Sequence, residues 1–378
     1  TGTKTVQASA VEEQLIPRIP VVSHEIGQYA TFPNFAEIEK YTGPLKARNF
    51  ETFRNRLEDK GLGHLAEAYF WNSGQLAVDC YKEELEAAFR SRKLAGFQLL
   101  DLQDFSGQGT ALVGVLDAFM DSKGLVTPEE WRTFCSDAVL LARFDKYHFT
   151  AGERFDAHVE LAYFRGIPLN AAEVVWNVTE GGTILAEGTL AAEASKDDNY
   201  VDFGDISFVI PEPAGMTQVT LSLAITGTDI RKTYPLWLYP AGVTVDVSAE
   251  QWVTALDPGV LARLAQGESL LLTPDPARLE SAVDGTYCTD FWCYPMFRSI
   301  SESMNKPVPV GTMGLLIDHL HPALRHFPSA SHSTYPWWSI ANHSRPIILD
   351  ELSQALSPIV QTIDNFERNH KLGLLFEC

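Results

Sequence analysis

Glu25 is the residue best placed to do chemistry. It follows Pro20-Val21-Val22-Ser23-His24 and precedes Ile26-Gly27-Gln28-Tyr29. A proline turn followed by two β-branched residues predicts a short buried strand, and the glutamate stands where that strand runs out. A carboxylate so placed can serve as nucleophile or general base, or it can simply cap a turn. A second stretch, Gly96-Phe97-Gln98-Leu99-Leu100-Asp101-Leu102-Gln103-Asp104-Phe105, also reads as a strand ending in polar groups. His24 and Gln28 flank the glutamate, while Gln98, Asp101, Gln103 and Asp104 belong to the second strand and its end. Two buried strands with carboxylates at their ends, joined by a long helical crossover, predict a βαβ unit with an acidic rim.

The elements that must position these groups follow in the chain. Asn49 to Lys60 carries Phe50, Phe53 and Leu57 at helical spacing and stops at Gly61. Two further helices are expected, His64 to Ser73 ended by Gly74, and Gln75 to Arg92 with Leu76, Cys80, Leu85, Ala88 and Phe89 inward. Thr127-Pro128-Glu129-Glu130 is a helix start, with a threonine cap, proline in the first turn and acids beside it, and the helix is expected to reach Ala142.

The motifs Pro20-Val-Val-Ser-His-Glu-Ile-Gly27 and Gly96-Phe-Gln-Leu-Leu-Asp-Leu-Gln-Asp-Phe105 resemble the last two barrel strands of family 2 glycoside hydrolases. The run Gly107-Gln-Gly-Thr-Ala-Leu-Val-Gly-Val-Leu-Asp-Ala-Phe-Met-Asp-Ser-Lys-Gly124 resembles family 2-like proteins of polysaccharide-degrading gut bacteria. The resemblance implies a retaining β-glycosidase of the β-galactosidase or β-glucuronidase kind, with Glu25 as nucleophile and no metal or cofactor. It further implies sugar contacts from His24, Gln28, Gln98, Asp101, Gln103 and Asp104, and a bacterial, extracytoplasmic setting, periplasmic or secreted. Retaining hydrolysis needs a second carboxyl about 5–5.5 Å from the first, one ionised and one protonated. The family carries that acid/base glutamate on a strand absent from this sequence. A tryptophan expected on the 97–103 strand is also missing; Gln98, Leu99 and Leu100 stand there.

From Lys146 the pattern switches to a period of two, as in Phe155, Ala157, Val159 and Leu161, or Val219, Leu221, Leu223 and Ile225. Turn-separated strands of this kind predict an immunoglobulin-like β-sandwich. Beyond it, Val243–Val247, Ser269–Leu272, Met313–Ile317, Ile359–Ile363 and Leu372–Phe376 read as strands, with a helix over Pro258–Ala265. The expectation is an α/β layered domain, which the resemblance likens to class I glutamine amidotransferases. The elbow cysteine of such an enzyme is not found, so the domain is expected to be non-catalytic. The organisation expected is therefore multidomain α/β plus all-β: a partial (β/α)8 barrel segment over 1–145, the sandwich over 146–240 and the α/β layers over 241–378.

Composition bounds the alternatives. The 378 residues carry a formal charge of −20, which opposes binding to nucleic acid phosphates. No apolar run is long enough to span a membrane. Five cysteines form no disulfide framework. His319, His321 and His326 lie near Asp318 but make no complete ligand set, and Tyr335 with Trp337-Trp338 reads as domain-interface core before sugar platform. With two barrel strands in place of eight, the chain is expected to be a truncated piece whose partners are a carbohydrate and the rest of its barrel. Self-association into a homo-oligomer is left open. The rival reading is a catalytically inactive carbohydrate-binding or scaffolding protein.

Overall fold

The computed structural model describes residues 20–92, 94–167, 169, 171–193, 199–242, 248–284, 287, 292–306, 311–352 and 356–377. The expected strand Val243–Val247, the lead-in 1–19, Cys288 and Cys378 lie outside the described residues. The fold is mixed α/β and rich in strands.

Strand β1 (Val21–Ile26) leads through a 3-10 turn, Phe35–Lys40, into helix α1 (Arg48–Asp59) and then the long helix α2 (Ala66–Arg90), which returns the chain to β2 (Leu94–Leu99). β1 and β2 pair in parallel, Val21 opposite Leu94 and Ile26 opposite Leu99. This is the expected βαβ unit, but its strands are not the buried ones expected: Val22 is 49% exposed, Ile26 is the one buried residue of β1, and β2 has none. Among the described residues the two strands form a sheet of their own. α1 buries Phe50, Phe53 and Leu57, as its spacing predicts, and gives way to Gly61 in the left-handed region at φ 72°.

Two helices were expected where one runs. Gly74 does not end the first; it sits inside α2, where a Cβ would lie 2.3 Å from Leu125 Cδ2. The glycine is there for close approach, and its cost in helix propensity, about 1 kcal/mol, is tolerated in the middle of a packed helix.

Helix α3 (Pro128–Arg132) begins on the expected cap. Thr127 Oγ1 accepts from Glu130 N–H at 3.2 Å, and Thr127 N–H donates to Glu130 Oε2 at 3.0 Å. It ends ten residues before Ala142, because Ala138–Arg143 is strand β3. An unbroken apolar run such as Ala-Val-Leu-Leu-Ala carries no period, and its partners decide what it becomes.

β3 pairs antiparallel with β5 (Arg154–Tyr163), which pairs with β8 (Tyr200–Val209). The facing sheet runs β4 (His148–Thr150), β10 (Arg231–Tyr239), β9 (Thr217–Ile225), β6 (Ala172–Glu180), β7 (Thr183–Ala192). The two inner faces share one core that includes Phe155, Val159, Trp176, Leu221 and Tyr234. The alternation read from the sequence thus makes a β-sandwich. β3, on the N-terminal side of the expected 145/146 boundary, is a full member of it.

The C-terminal region opens with the short pair β11 (Trp252–Val253) and β12 (Leu271–Leu272), flanking helix α4 (Pro258–Ala265), which Asp257 caps through Val260 N–H at 2.8 Å. Helix α5 (Tyr294–Ser303) follows. Strand β13 (Thr312–Ile317), helix α6 (Trp337–Asn342), and strands β14 (Ile347–Ile348), β15 (Val360–Asp364) and β16 (Leu372–Leu375) complete the chain. The sheet order is β13-β15-β16-β14, and every pairing is antiparallel. This departs from the α/β layers expected: the short β15–β16 connection can only turn the chain back, whereas parallel neighbours need a crossover. Nor does the sheet stand apart. Met313, Ile363 and Phe366 share a core with Phe32, Phe50, Phe53 and Tyr69 of the N-terminal region.

The sandwich is fastened to α2 by a fully enclosed ion pair. Lys232 on β10 meets Glu86, which also accepts from Tyr234 Oη at 3.2 Å and lies 3.6 Å from Arg90. Lys232→Met leaves Glu86 buried with too little positive charge and is expected to cost roughly 3–5 kcal/mol. Urea denaturation of the variant beside the wild type checks the size.

Candidate functional site

In a regular strand, neighbouring side chains point to opposite faces. β1 breaks this rule at its end. Its register with β2 slips between Ser23 and Ile26, and Glu25 takes a left-handed φ of 56°. Such a bulge re-aims a side chain, and a left-handed glutamate carries strain that its surroundings must hold. The outcome is that His24 and Glu25 sit together, His24 Nε2 lying 3.2 Å from Glu25 Oε1. Glu25 remains 47% exposed and His24 73%.

Three contacts hold the bulge. Gly27 is at φ 81°, and a Cβ there would stand 2.3 Å from the Tyr81 ring, so only glycine lets α2 approach so closely. Gly27 N–H donates to Glu84 Oε2 of α2 at 2.8 Å. Leu100 N–H donates to the Ile26 carbonyl at 2.9 Å and continues the pairing past β2.

The polar ring around Glu25 comes from two directions. His24 Nδ1 is 2.8 Å from Gln98 Oε1; that carbonyl can only accept, so Nδ1 carries the hydrogen. Nε2 donates to Glu25 when the ring is doubly protonated. Gln28 Nε2–H donates to the Glu25 carbonyl at 2.9 Å, and Gln28 Oε1 accepts the indole N–H of Trp292 at 2.6 Å. Trp292 belongs to the C-terminal region, and nothing in its sequence neighbourhood pointed to this rim.

The acids beyond β2 have other work. The Asp101 carboxylate accepts from Leu102 N–H at 2.8 Å, and its carbonyl accepts from Tyr81 Oη at 3.0 Å, so it shapes its own turn. Gln103 lies in an isolated parallel bridge to Leu116. Asp104 was expected to contact sugar; it is 5% exposed and turned inward onto Lys123 Nζ at 2.6 Å. A bare carboxylate in that interior would be far too costly, and burial still pushes Asp104 up to about 6 against the pull of Lys123. Of the expected ligands, His24, Gln28 and Gln98 gather about Glu25; Asp104 does not.

Elsewhere, His321 Nδ1 accepts from Ala323 N–H at 3.2 Å, so it caps a turn, and His326 Nε2 accepts from Arg325 at 3.0 Å. Trp337 is buried, and Tyr335 stacks on Tyr147 of the sandwich at 3.6 Å, which fits interface core.

Two family models match the chain, each described as a domain of unknown function: DUF8488 over residues 153–240 and DUF8487 over residues 251–378. No curated protein matches it. Among solved structures, the CARDB domain of the PF1109 protein of Pyrococcus furiosus, in complex with di-metal ions, is 10% identical, covering 27% of this chain and 87% of that one at a TM-score of 0.20. The β-glucuronidase of Parabacteroides merdae is 10% identical over 28% of this chain and 14% of that one, at 0.19. Spo0M, a sporulation control protein of Bacillus subtilis, is 13% identical over 29% and 51%, again at 0.19. At such scores these likenesses carry no argument.

The Trp292–Gln28 bond couples the C-terminal region to the rim. Trp292→Phe and Gln28→Ala together should show a coupling of about 0.5–1.5 kcal/mol, the worth of one hydrogen bond. A double-mutant cycle by chemical denaturation measures it.

Proposed function

We propose that this chain carries the nucleophile end of a retaining β-glycosidase of the family 2-like kind, acting in polysaccharide breakdown outside the cytoplasm of a bacterium. The observation that carries the reading is Glu25, an accessible carboxylate on the bulged end of a parallel strand, inside a β1–α2–β2 unit that fixes its backbone from behind. In this mechanism the Glu25 carboxylate attacks the anomeric carbon, the glycosidic oxygen leaves with a proton from a second carboxyl, and water then releases the sugar from its ester to Glu25. His24 stands beside the attacking carboxylate, Gln98 orients His24, and Gln28 holds the Glu25 backbone carbonyl.

The proton donor is proposed to lie on other strands of the same barrel. Asp104 is enclosed with Lys123, and Asp101 is committed to its own turn. A two-stranded parallel sheet is also an unusual end state, since parallel strands are generally covered on both faces and flanked by others. Further strands of the parent barrel are the partner that suits these edges.

A second reading, a carbohydrate-binding or scaffolding protein without turnover, draws on the engagement of the neighbouring carboxyls: Glu84 accepts from Gly27 N–H at 2.8 Å, Asp101 accepts from Leu102 N–H, and Asp104 is enclosed with Lys123.

This chain by itself is expected to release no nitrophenol from nitrophenyl galactoside, glucuronide or mannoside. A missing general acid alone costs about 10²–10⁴-fold, and an activated aryl leaving group would hide that deficit; a missing barrel wall cannot be hidden. Joined to its upstream sequence, the protein should turn over one of these substrates, and Glu25→Gln should remove that activity by several orders of magnitude. Sugar binding with no turnover in the joined protein would favour the second reading.

A further inference from the structure

The turn Phe35–Lys40 holds an unusual carboxyl. Glu37 is 2% exposed, and among the described residues neither of its oxygens has a hydrogen-bond partner. Buried polar groups are nearly always paired, so an orphan of this kind calls for an account. The groups acting on it come from the loop beyond β2 and from its own turn. Asp104 binds Lys123, whose ammonium also reaches Thr31 Oγ1 and the Gly114 carbonyl, both at 3.3 Å. Asp117 binds Lys40, which reaches Asp121 at 2.8 Å. Tyr41 lies close enough to feel the same charges. α1 packs Phe50 and Phe53 into the shared core, and its Arg48 is bonded to its own Glu51 at 2.7 Å.

Charge counting separates the ways this group can be neutralised. Among the described residues, the charges acting most on Glu37 are Asp104 and Asp117 against Lys123 and Lys40, and each lysine is already bonded to an aspartate. A metal ion is disfavoured, since among the described residues no three acids, histidines or thiols converge to hold one. A proton suffices. Burial, with Asp104 and Asp117 adding to it, drives Glu37 from 4.5 up to about 8 against the opposing pull of Lys123 and Lys40.

We propose that Glu37 is a proton-loaded latch: its neutral carboxyl lets the loop 101–124 close on the 35–40 turn, and loss of its proton favours release of that loop. The loop is also tied down by Lys40 to Asp117 and Asp121, by Asn49 Nδ2–H to the Gly109 carbonyl at 3.0 Å, by Thr31 N–H to the Leu112 carbonyl at 2.8 Å and by the Ala30–Val113 bridge. Its release would carry Gln103 and Asp104 away from the end of β2. The inference stands apart from the glycosidase reading and needs no activity to test.

The sign follows from linkage. A folded-state value raised from 4.5 to about 8 stabilises the closed form fully below about 4.5, progressively less as pH rises, and not at all above about 8. Asp104, raised to about 6, acts in the same direction but only at lower pH, so the interval from about 6.5 to 8 isolates Glu37. There, amide exchange protection across 101–124, corrected for intrinsic rates, should fall by up to about tenfold per pH unit and level off above 8. Glu37→Gln, a neutral mimic of the loaded state, should hold protection constant over that interval. Equal slopes in the two proteins, or none in the wild type, overturn the latch. Should the variant fail to fold, ¹³C-carboxyl titration of the wild-type chain decides: one glutamate carboxyl titrating near 8 supports the proposal, and all titrating below about 6 refutes it.

Discussion

The β1 end, the sandwich and the C-terminal region are all held by one run of acids in α2, Glu83-Glu84-Leu85-Glu86. Successive residues of a helix point about 100° apart, so three nearby carboxylates can serve three different neighbours. Glu83 accepts from Tyr147 of the sandwich at 2.6 Å and from Tyr335 of the C-terminal region. Glu84 holds Gly27 at the end of β1. Glu86 meets Lys232 and Tyr234 of β10. Desolvating such charges is expensive, and apolar packing of equal volume would often be as stable. What the polar contacts add is a fixed rotation of α2: turning the helix by one residue would leave each acid without its partner.

That fixed rotation explains how strain can persist at the rim. Glu25 keeps a left-handed backbone because Gly27 is clamped between the Tyr81 ring and the Glu84 carboxylate, both on the same stretch of α2. Tyr81 also reaches the Asp101 carbonyl, so the two strand ends are set by a single helical turn. The C-terminal region enters the same arrangement twice, through Tyr335 at the sandwich and through Trp292 at Gln28. A region expected to be a separate appendage is therefore part of the packing that shapes the rim.

Much of this was legible because it depends on local pattern. The alternation of Phe155, Ala157, Val159 and Leu161 could only be a half-buried strand, and Asp257-Pro258 marks the start of α4 as surely as Thr127-Pro128 marks that of α3. The misreadings share one cause, which is that long-range contact outvoted local signal. Gly74 reads as a helix stop until Leu125 is seen against it; Ala138–Arg143 reads as helix until β5 pairs with it. Asp104 reads as a rim ligand until Lys123, far along the loop, draws it inward. The antiparallel order of β13, β15 and β16 could not be read from five apolar runs, because a run that shows where a strand lies says nothing of its direction.

The fate of the carboxylates also sharpens what the rim has and what it lacks. A formal charge of −20 counts Glu25, Glu37, Glu86 and Asp104 alike, yet they occupy different physical states. Glu86 and Asp104 are paired with lysines in the interior, and Glu37 is enclosed without a hydrogen-bond partner among the described residues. Of the acids at the ends of β1 and β2, Glu25 joins a fixed backbone to the most exposed side chain, Asp101 being half-buried and Asp104 buried. An acid that is to attack carbon must be accessible and held still, and one that is to donate a proton must be shielded enough to retain it. Glu37 has the shielding without the access, which makes it suited to holding a loop and unsuited to protonating a leaving group. On the proposed reading, then, the missing half of the chemistry is a second carboxyl that is both shielded and reachable, and such a position exists only where further strands wall the pocket in.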